Sequence, residues 1–200
     1  MCGRYFIDLD DITDEELLAL LDREHSVSEL NAAEPRLKSG EIHPGDTAAV
    51  IARNRKLCRS AFLMQWGFHF NKRLIFNARS ETAAEKPMFQ HSLKERRCLI
   101  PASAYFEWDH REKPLKKYRF GLKDKSMLYF AGLYRFESPE TLPVFTILTR
   151  NAAPEISCYH DRMPVIIPET LHNAWLDNRN SADAIIQHAI TDALEWRCAE

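Results

Sequence analysis

Two hundred residues, 45% of them hydrophobic, suffice for one domain with a sizeable core, and a single domain over residues 1–200 is expected. The net charge is −2, so nothing in the whole-molecule field attracts a polyanion; any nucleic-acid contact has to come from a local basic patch. No basic start followed by an apolar run reads as a secretion signal, and no apolar stretch is long enough to span a bilayer, so the expectation is a cytoplasmic protein without membrane contact.

The chain opens Met1-Cys2-Gly3-Arg4. If the initiator methionine is removed, Cys2 carries a free α-amine and a thiol on one residue. Such a 1,2-aminothiol condenses with an aldehyde to an imine, and the thiol then closes on the imine carbon to give a thiazolidine. An α-amine titrates near ~7.7–8.0 and a free thiol near ~8.5, so neither needs a large shift to react at neutral pH. A cysteine in second position is also an ordinary inert residue, and four residues do not decide between the two readings.

Residues 4–7 read as a short strand, which sets Cys2 at the lip of a sheet. Thr13-Asp14-Glu15-Glu16 is a capping box ahead of Leu17, Leu18, Leu20 and Leu21, predicting a helix to about Arg23. Residues 25–46, with Pro35, Gly40, Pro44 and Gly45, read as irregular. Strands are predicted over 47–52 and 57–68, joined by Arg53-Asn54-Arg55-Lys56, a solvated tip in preference to a phosphate site. A short apolar piece at 74–77 precedes helices at 81–85 and 87–95. Residues 98–108 form a long strand broken near Pro101, and 116–122 pairs with 127–134 as a hairpin. A buried strand at 143–149, a helical turn at 152–157, a strand at 165–167, helices at 168–176 and 181–190 and a last strand at 194–198 complete the chain. The class is α+β: a mainly β core, a half-closed barrel-like sheet, with flanking helices.

The five cysteines are scattered, with no C-x-x-C and no zinc-ligand spacing, so neither a disulfide framework nor a metal is expected; Cys58, Cys98 and Cys158 read as small core residues. No G-x-G-x-x-G, Walker loop or G-x-S-x-G occurs, and no cofactor is implied.

Three stretches set polar residues among apolar ones. Ile75-Phe76-Asn77-Ala78-Arg79-Ser80-Glu81 is either a functional cluster or a strand-to-helix junction, with Asn77 or Ser80 capping and Arg79 paired to Glu81. In Ala104-Tyr105-Phe106-Glu107-Trp108, Glu107 is either an outward residue of an alternating strand or a poorly solvated carboxyl suited to general acid–base work. Tyr159-His160-Asp161-Arg162-Met163-Pro164 offers His160 as a proton shuttle or as a loop histidine with no role.

Taken in order with Met1-Cys2-Gly3-Arg4, Ile100-Pro101-Ala102, Ala131-Gly132-Leu133-Tyr134 and Phe145-Thr146-Ile147-Leu148-Thr149, these stretches resemble the SOS response-associated peptidase (SRAP) family over essentially the whole chain. The resemblance implies a monomer that captures abasic sites in single-stranded DNA, nucleoid-associated when bound. It implies that Cys2 forms a thiazolidine with the ring-opened sugar, that Asn77 holds the reacting terminus, that Glu107 moves protons during imine formation and that His160 assists sugar ring opening. By the same resemblance Arg4, Arg79 and Arg162 hold DNA phosphates and Trp66 lies near the DNA. Two other readings stand beside it. One is a cysteine peptidase with His160 as base, acting on other chains or only on Met1; the other is a non-catalytic single-stranded DNA-binding module in which Cys2 is incidental.

Overall fold

Runs of β-branched and aromatic residues, cut by Gly, Pro and Asn, form the strands here, as their pleat-filling side chains favour. The computed structural model describes residues 2–12, 15, 17, 19, 20, 38–109, 111, 113–123 and 127–199. In chain order these contain β1 (Tyr5–Ile7), β2 (Gly40–Ile42), β3 (Thr47–Arg53), β4 (Arg59–Trp66), β5 (Phe68–Phe70), β6 (Arg73–Ile75), β7 (Asn77–Arg79), α1 (Ser80–Ala83) and α2 (Pro87–Glu95). Then come β8 (Arg97–Ala102), β9 (Ala104–Asp109), β10 (Lys116–Leu122), β11 (Leu128–Arg135), β12 (Val144–Asn151), β13 (Arg162–Pro164), α3 (His172–Leu176), α4 (Ala182–Ile186) and β14 (Leu194–Cys198).

Two sheets carry the fold, which is mainly β with a few flanking helices, as expected. One runs β14-β10-β9-β1-β2; the other runs β11-β8-β3-β4-β12-β13, with β7 also on β12, and β12 pairs back to β11 so that the order returns on itself. The predicted buried strand at 143–149 is β12, whose residues 144–149 are all buried. With β4 and β7 parallel to it and β11 and β13 antiparallel, it is covered throughout, which is why it reads as a continuous apolar run.

The predicted strand over 98–108 breaks at Ser103, not at Pro101, and its halves enter different sheets. At this corner the Ser103 N–H donates to the Phe6 carbonyl (2.7 Å) and its hydroxyl accepts from the Asp8 N–H (2.9 Å), so two backbone groups freed by the turn are satisfied. The predicted hairpin of 116–122 with 127–134 does not form: β10 pairs with β9 and β14, and β11 with β8 and β12. Local pattern gave each strand but not its partners. Strand 57–68 is cut at Gly67 (φ +122°), a backbone region that glycine adopts freely. A strand at 165–167 is reduced to one bridge, Phe130 to Ile166, and the strand of this stretch that joins β12 is β13, three residues earlier. β2 was not foreseen.

Glu15, Leu17, Ala19 and Leu20 are helical, with Leu17 and Leu20 buried; the remainder of the predicted helix at 13–23 lies outside the described residues. Cys98 is buried as expected, whereas Cys58 and Cys158 are exposed in turns. No helix among the described residues is long and apolar enough to cross a membrane.

Gly132 in β11 lies where three strands are closest. A Cβ there would overlap Ile100 Cδ1, lie 2.9 Å from Cys98 Sγ and 3.1 Å from the Thr146 carbonyl. Gly132→Ala is therefore expected to destabilise the protein by about 2–3 kcal/mol through overpacking, read as a lowered denaturation midpoint; an unchanged midpoint would show that β8 and β12 part without cost.

Candidate active site

β1 brings the start of the chain against β9. Tyr5 is opposite Tyr105, and the Phe106 N–H donates to the Arg4 carbonyl at 3.0 Å. Continued by two residues, this register sets Gly3 opposite Glu107, where the missing side chain leaves room over the carboxyl. Cys2 is fully buried, its thiol 3.9 Å from the Arg4 carbonyl. From the other sheet, at the end where β7 lies on β12, the Asn77 Nδ2 donates to the Cys2 carbonyl at 2.8 Å. The two sheets thus meet at Cys2.

Glu107 is 3% exposed, so it is not the outward residue of an alternating strand. Desolvation pushes its carboxyl up to about 7, with the Asp161 charge adding to the rise and the positive chain terminus pulling the other way. A carboxyl poised there can give and take a proton at neutral pH. The Cys2 thiol is pushed strongly upward by burial and, secondarily, by the Glu107 charge. This corrects the expectation that the thiol would titrate near its free value: within this fold it stays protonated at neutral pH.

His160 closes the turn between β12 and β13. Its Nδ1 accepts the Arg162 N–H at 2.9 Å and lies 2.7 Å from Asp161 Oδ1. The backbone bond places the proton of a neutral ring on Nε2, whereas a protonated ring donates from Nδ1 to Asp161. The ring therefore has a partner in either charge state. Two observations bring this turn to the Glu107 side: the Asp161 charge acts on Glu107, and the Tyr159 ring lies 4.5 Å from that of Tyr118, the cross-strand partner of Glu107.

The predicted DNA-contacting residues divide. Arg4 is one-third exposed, sits 5.0 Å over the Trp108 ring and pairs with Glu41 at 3.2 Å. Arg79 ends β7 and is exposed. Arg162, expected at a phosphate, has its guanidinium buried, donating to both Glu81 carboxylate oxygens (2.8 Å each), to Asn151 Oδ1 (2.5 Å) and to the Thr149 carbonyl (2.7 Å). These bonds tie α1 to β12 and β13 and take the place of the expected Arg79–Glu81 pair. Neither Asn77 nor Ser80 caps α1, whose N-cap position is Arg79 with no side-chain bond. Trp66, expected near the DNA, lies in the core. Its indole is fully buried, stacked on Phe145 (6.2 Å, 5°), edge-on to Phe76 and 5.2 Å from Tyr5, with Nε1 donating to the Phe76 carbonyl at 2.9 Å. No ring face remains for a nucleobase.

The motifs did not single out Trp108, a half-buried aromatic of the site. Lys117 lies 5.9 Å from its ring on the strand beside it and shares Glu41 with Arg4. The motifs also passed over Tyr5 and Tyr105, both fully buried. Alternation along β9 was the available signal, since Tyr105 and Glu107 must share a face. A concavity of about 1390 Å³ lies elsewhere, lined by Phe62, Met64, Tyr134 and Phe136, and holds none of these groups. Among the described residues no cluster of His, Cys, Asp and Glu could hold a metal ion.

A family model described as SOS response associated peptidase (SRAP) matches residues 1–199. The chain is 37% identical over 117 residues to "Abasic site processing protein YoqW" of Bacillus subtilis (strain 168), a match spanning 56% of this chain and 52% of that one, so about half the relative's length. It is 27% identical over 184 residues to "Abasic site processing protein YedK" of Escherichia coli (strain K12), covering 88% and 79% of the two chains. A crystal structure of a Bordetella bronchiseptica protein superposes with TM-score 0.73 at 25% identity, with both chains covered in full. A phage-related protein from the same organism gives 0.75 at 22%, covering 100% of this chain and 94% of that one.

Proposed function

The chain belongs to the SOS response-associated peptidase family, and on that premise we propose that it captures abasic sites in single-stranded DNA as a thiazolidine on Cys2 once Met1 has been removed. The relatives' names, which speak of abasic site processing, support the substrate class. The observation that carries the chemistry is the Asn77 Nδ2 to Cys2 carbonyl bond of 2.8 Å, beside a carboxyl that titrates at about 7. In an extended residue the N–H and C=O point to one side, so an amide that donates to the carbonyl offers its own oxygen to the nitrogen. Asn77 Oδ1, buried and without a partner among the described residues, suits the α-ammonium of a terminal Cys2.

A ring-opened abasic site is an aldehyde with acidic hydrogens beside it. The neutral α-amine adds to the carbonyl carbon; Glu107, protonated, gives its proton to the leaving hydroxyl, and water departs to leave the iminium. Left there, the iminium would promote β-elimination and strand scission. Closure of the thiol on that carbon removes the electron sink and preserves the backbone. His160 delivers a proton to the sugar ring oxygen as the anomeric hydroxyl gives up its own and the hemiacetal opens to the aldehyde. Arg4 and Arg79 serve the phosphates, which carry no sequence information, and Trp108 offers a partly exposed ring beside them. The cysteine-peptidase reading needs a thiolate at neutral pH, and the burial of Cys2 opposes one.

The test uses protein shown by intact mass to begin at Cys2, incubated with an oligonucleotide bearing one abasic site. A heat-stable adduct on a denaturing gel is expected, and Cys2→Ala abolishes it; no adduct from correctly trimmed protein sinks the reading. Arg79→Ala is expected to weaken non-covalent retention of single-stranded DNA equally across sequences and to lower the salt slope by about 0.7, one phosphate's worth on a single strand. A loss confined to some sequences would contradict a phosphate role.

A further inference from the structure

Two phenol hydroxyls at this site have no structural work to do. Tyr5 Oη and Tyr105 Oη are buried and have no hydrogen-bond partner among the described residues. Tyr5 and Tyr105 are cross-strand partners, so their side chains stand together on one face of the sheet, and Glu107 stands on that face two residues further on. The rings are locked by neighbours: Tyr105 stacks on Phe120 at 5.0 Å, Tyr5 packs on Trp66 at 5.2 Å, and both meet Phe130 edge-on, at 6.2 and 5.9 Å. Phenylalanine at either position would keep all of these contacts and avoid burying an unpaired hydroxyl, which costs about 1–3 kcal/mol. Two such costs side by side, next to the reactive residue, call for a ligand or a reacting atom.

We propose that the Tyr5 and Tyr105 hydroxyls donate hydrogen bonds to the Cys2 sulfur as it closes on the iminium carbon. The inference rests on the thiazolidine reading and deepens it. In the closure step the S–C bond forms, the C=N π pair moves to nitrogen, and the thiol proton goes to the Glu107 carboxylate left by the dehydration step. Summed with that step, amine, thiol and aldehyde give thiazolidine and one water. The phenols lose no proton: burial holds both well above their usual range, so they remain neutral donors. Cys2 precedes Tyr5 by three residues and is itself fully buried, with Gly3 between it and β1 in register with Glu107. A thiol that burial keeps protonated carries negative charge only in passing, and donors on rings already held by their neighbours lower that barrier at little cost in reorganisation.

The experiment compares the wild type with Tyr5→Phe, Tyr105→Phe and the double variant, each verified to begin at Cys2. Borohydride trapping reports the imine; heat-stable adduct formed without reductant reports ring closure. The double variant is expected to trap imine within about twofold of wild type, which also shows that it is folded, while heat-stable adduct accumulates about tenfold more slowly, the loss of two modest hydrogen bonds. A heat-stable rate equal to wild type in variants that still trap imine would overturn the phenol role alone. Loss of both signals in every variant, single ones included, would overturn it as well, since the hydroxyls would then matter to the fold or the amine step. Absence of heat-stable adduct from the wild type would overturn the thiazolidine reading together with this one.

Discussion

Glu107→Gln should slow adduct formation by about 10²–10⁴-fold and at the same time make the protein more stable above neutral pH. The first effect follows from the loss of the only buried carboxyl beside Cys2 among the described residues that can deliver and recover a proton. The second follows from its environment. Folded, the carboxyl keeps its proton up to about 7; unfolded, it releases it near 4.5. Between those values the folded state binds more protons, so wild-type stability declines as pH rises through the window and stays lower beyond it. Glutamine does not titrate. The advantage of the variant should therefore be small at pH 4.5, grow toward pH 7 and level off at about 3 kcal/mol at most. Denaturation midpoints at pH 4.5, 6 and 8 would check this, and a difference that does not change with pH would mean that Glu107 is ionised throughout.

Arg162→Ala should cost about 3 kcal/mol of stability, or roughly 10 °C in the thermal midpoint, while leaving the salt dependence of DNA retention in the folded fraction unchanged. Removing the guanidinium leaves the Thr149 carbonyl, Asn151 Oδ1 and both oxygens of Glu81 without their donor. Arg79→Ala provides the contrast, because that side chain is exposed and its loss should move affinity without moving the midpoint. If Arg162→Ala melted like the wild type and flattened the salt slope, the buried network would be ornamental and the residue would belong to the DNA.

What the sequence disclosed and what it hid follow one division. Strands such as β3 and β12 were legible because their burial imposes a pattern on consecutive residues. The partners of β10 and β11 were not, because pairing is decided by contacts far apart in the chain and by the corner at Ser103, whose hydroxyl bond to Asp8 spans 95 positions. The site shows the same split. The motifs offered Cys2, Asn77, Glu107 and His160, and in the fold Asn77 donates to the Cys2 carbonyl. Which arginines and tryptophans face solvent did not follow from the motifs. Arg162 and Arg79 look alike as letters, yet one faces Glu81 within the fold and the other faces out. Trp66 and Trp108 differ in the same way. Tyr105 could have been found by counting two back from Glu107.

The strand that carries Cys2 finds its neighbour β9 about 100 residues later in the chain. A ribosome adding roughly 5–20 residues per second needs about 5–20 s to expose that neighbour. Throughout that interval the newborn terminus is open to an aminopeptidase, and afterwards Cys2 lies out of reach of solvent. On the function proposed above, trimming of the initiator and docking of β1 are in a race set by the speed of translation, and a molecule that folds untrimmed keeps the Cys2 nitrogen as an unreactive amide.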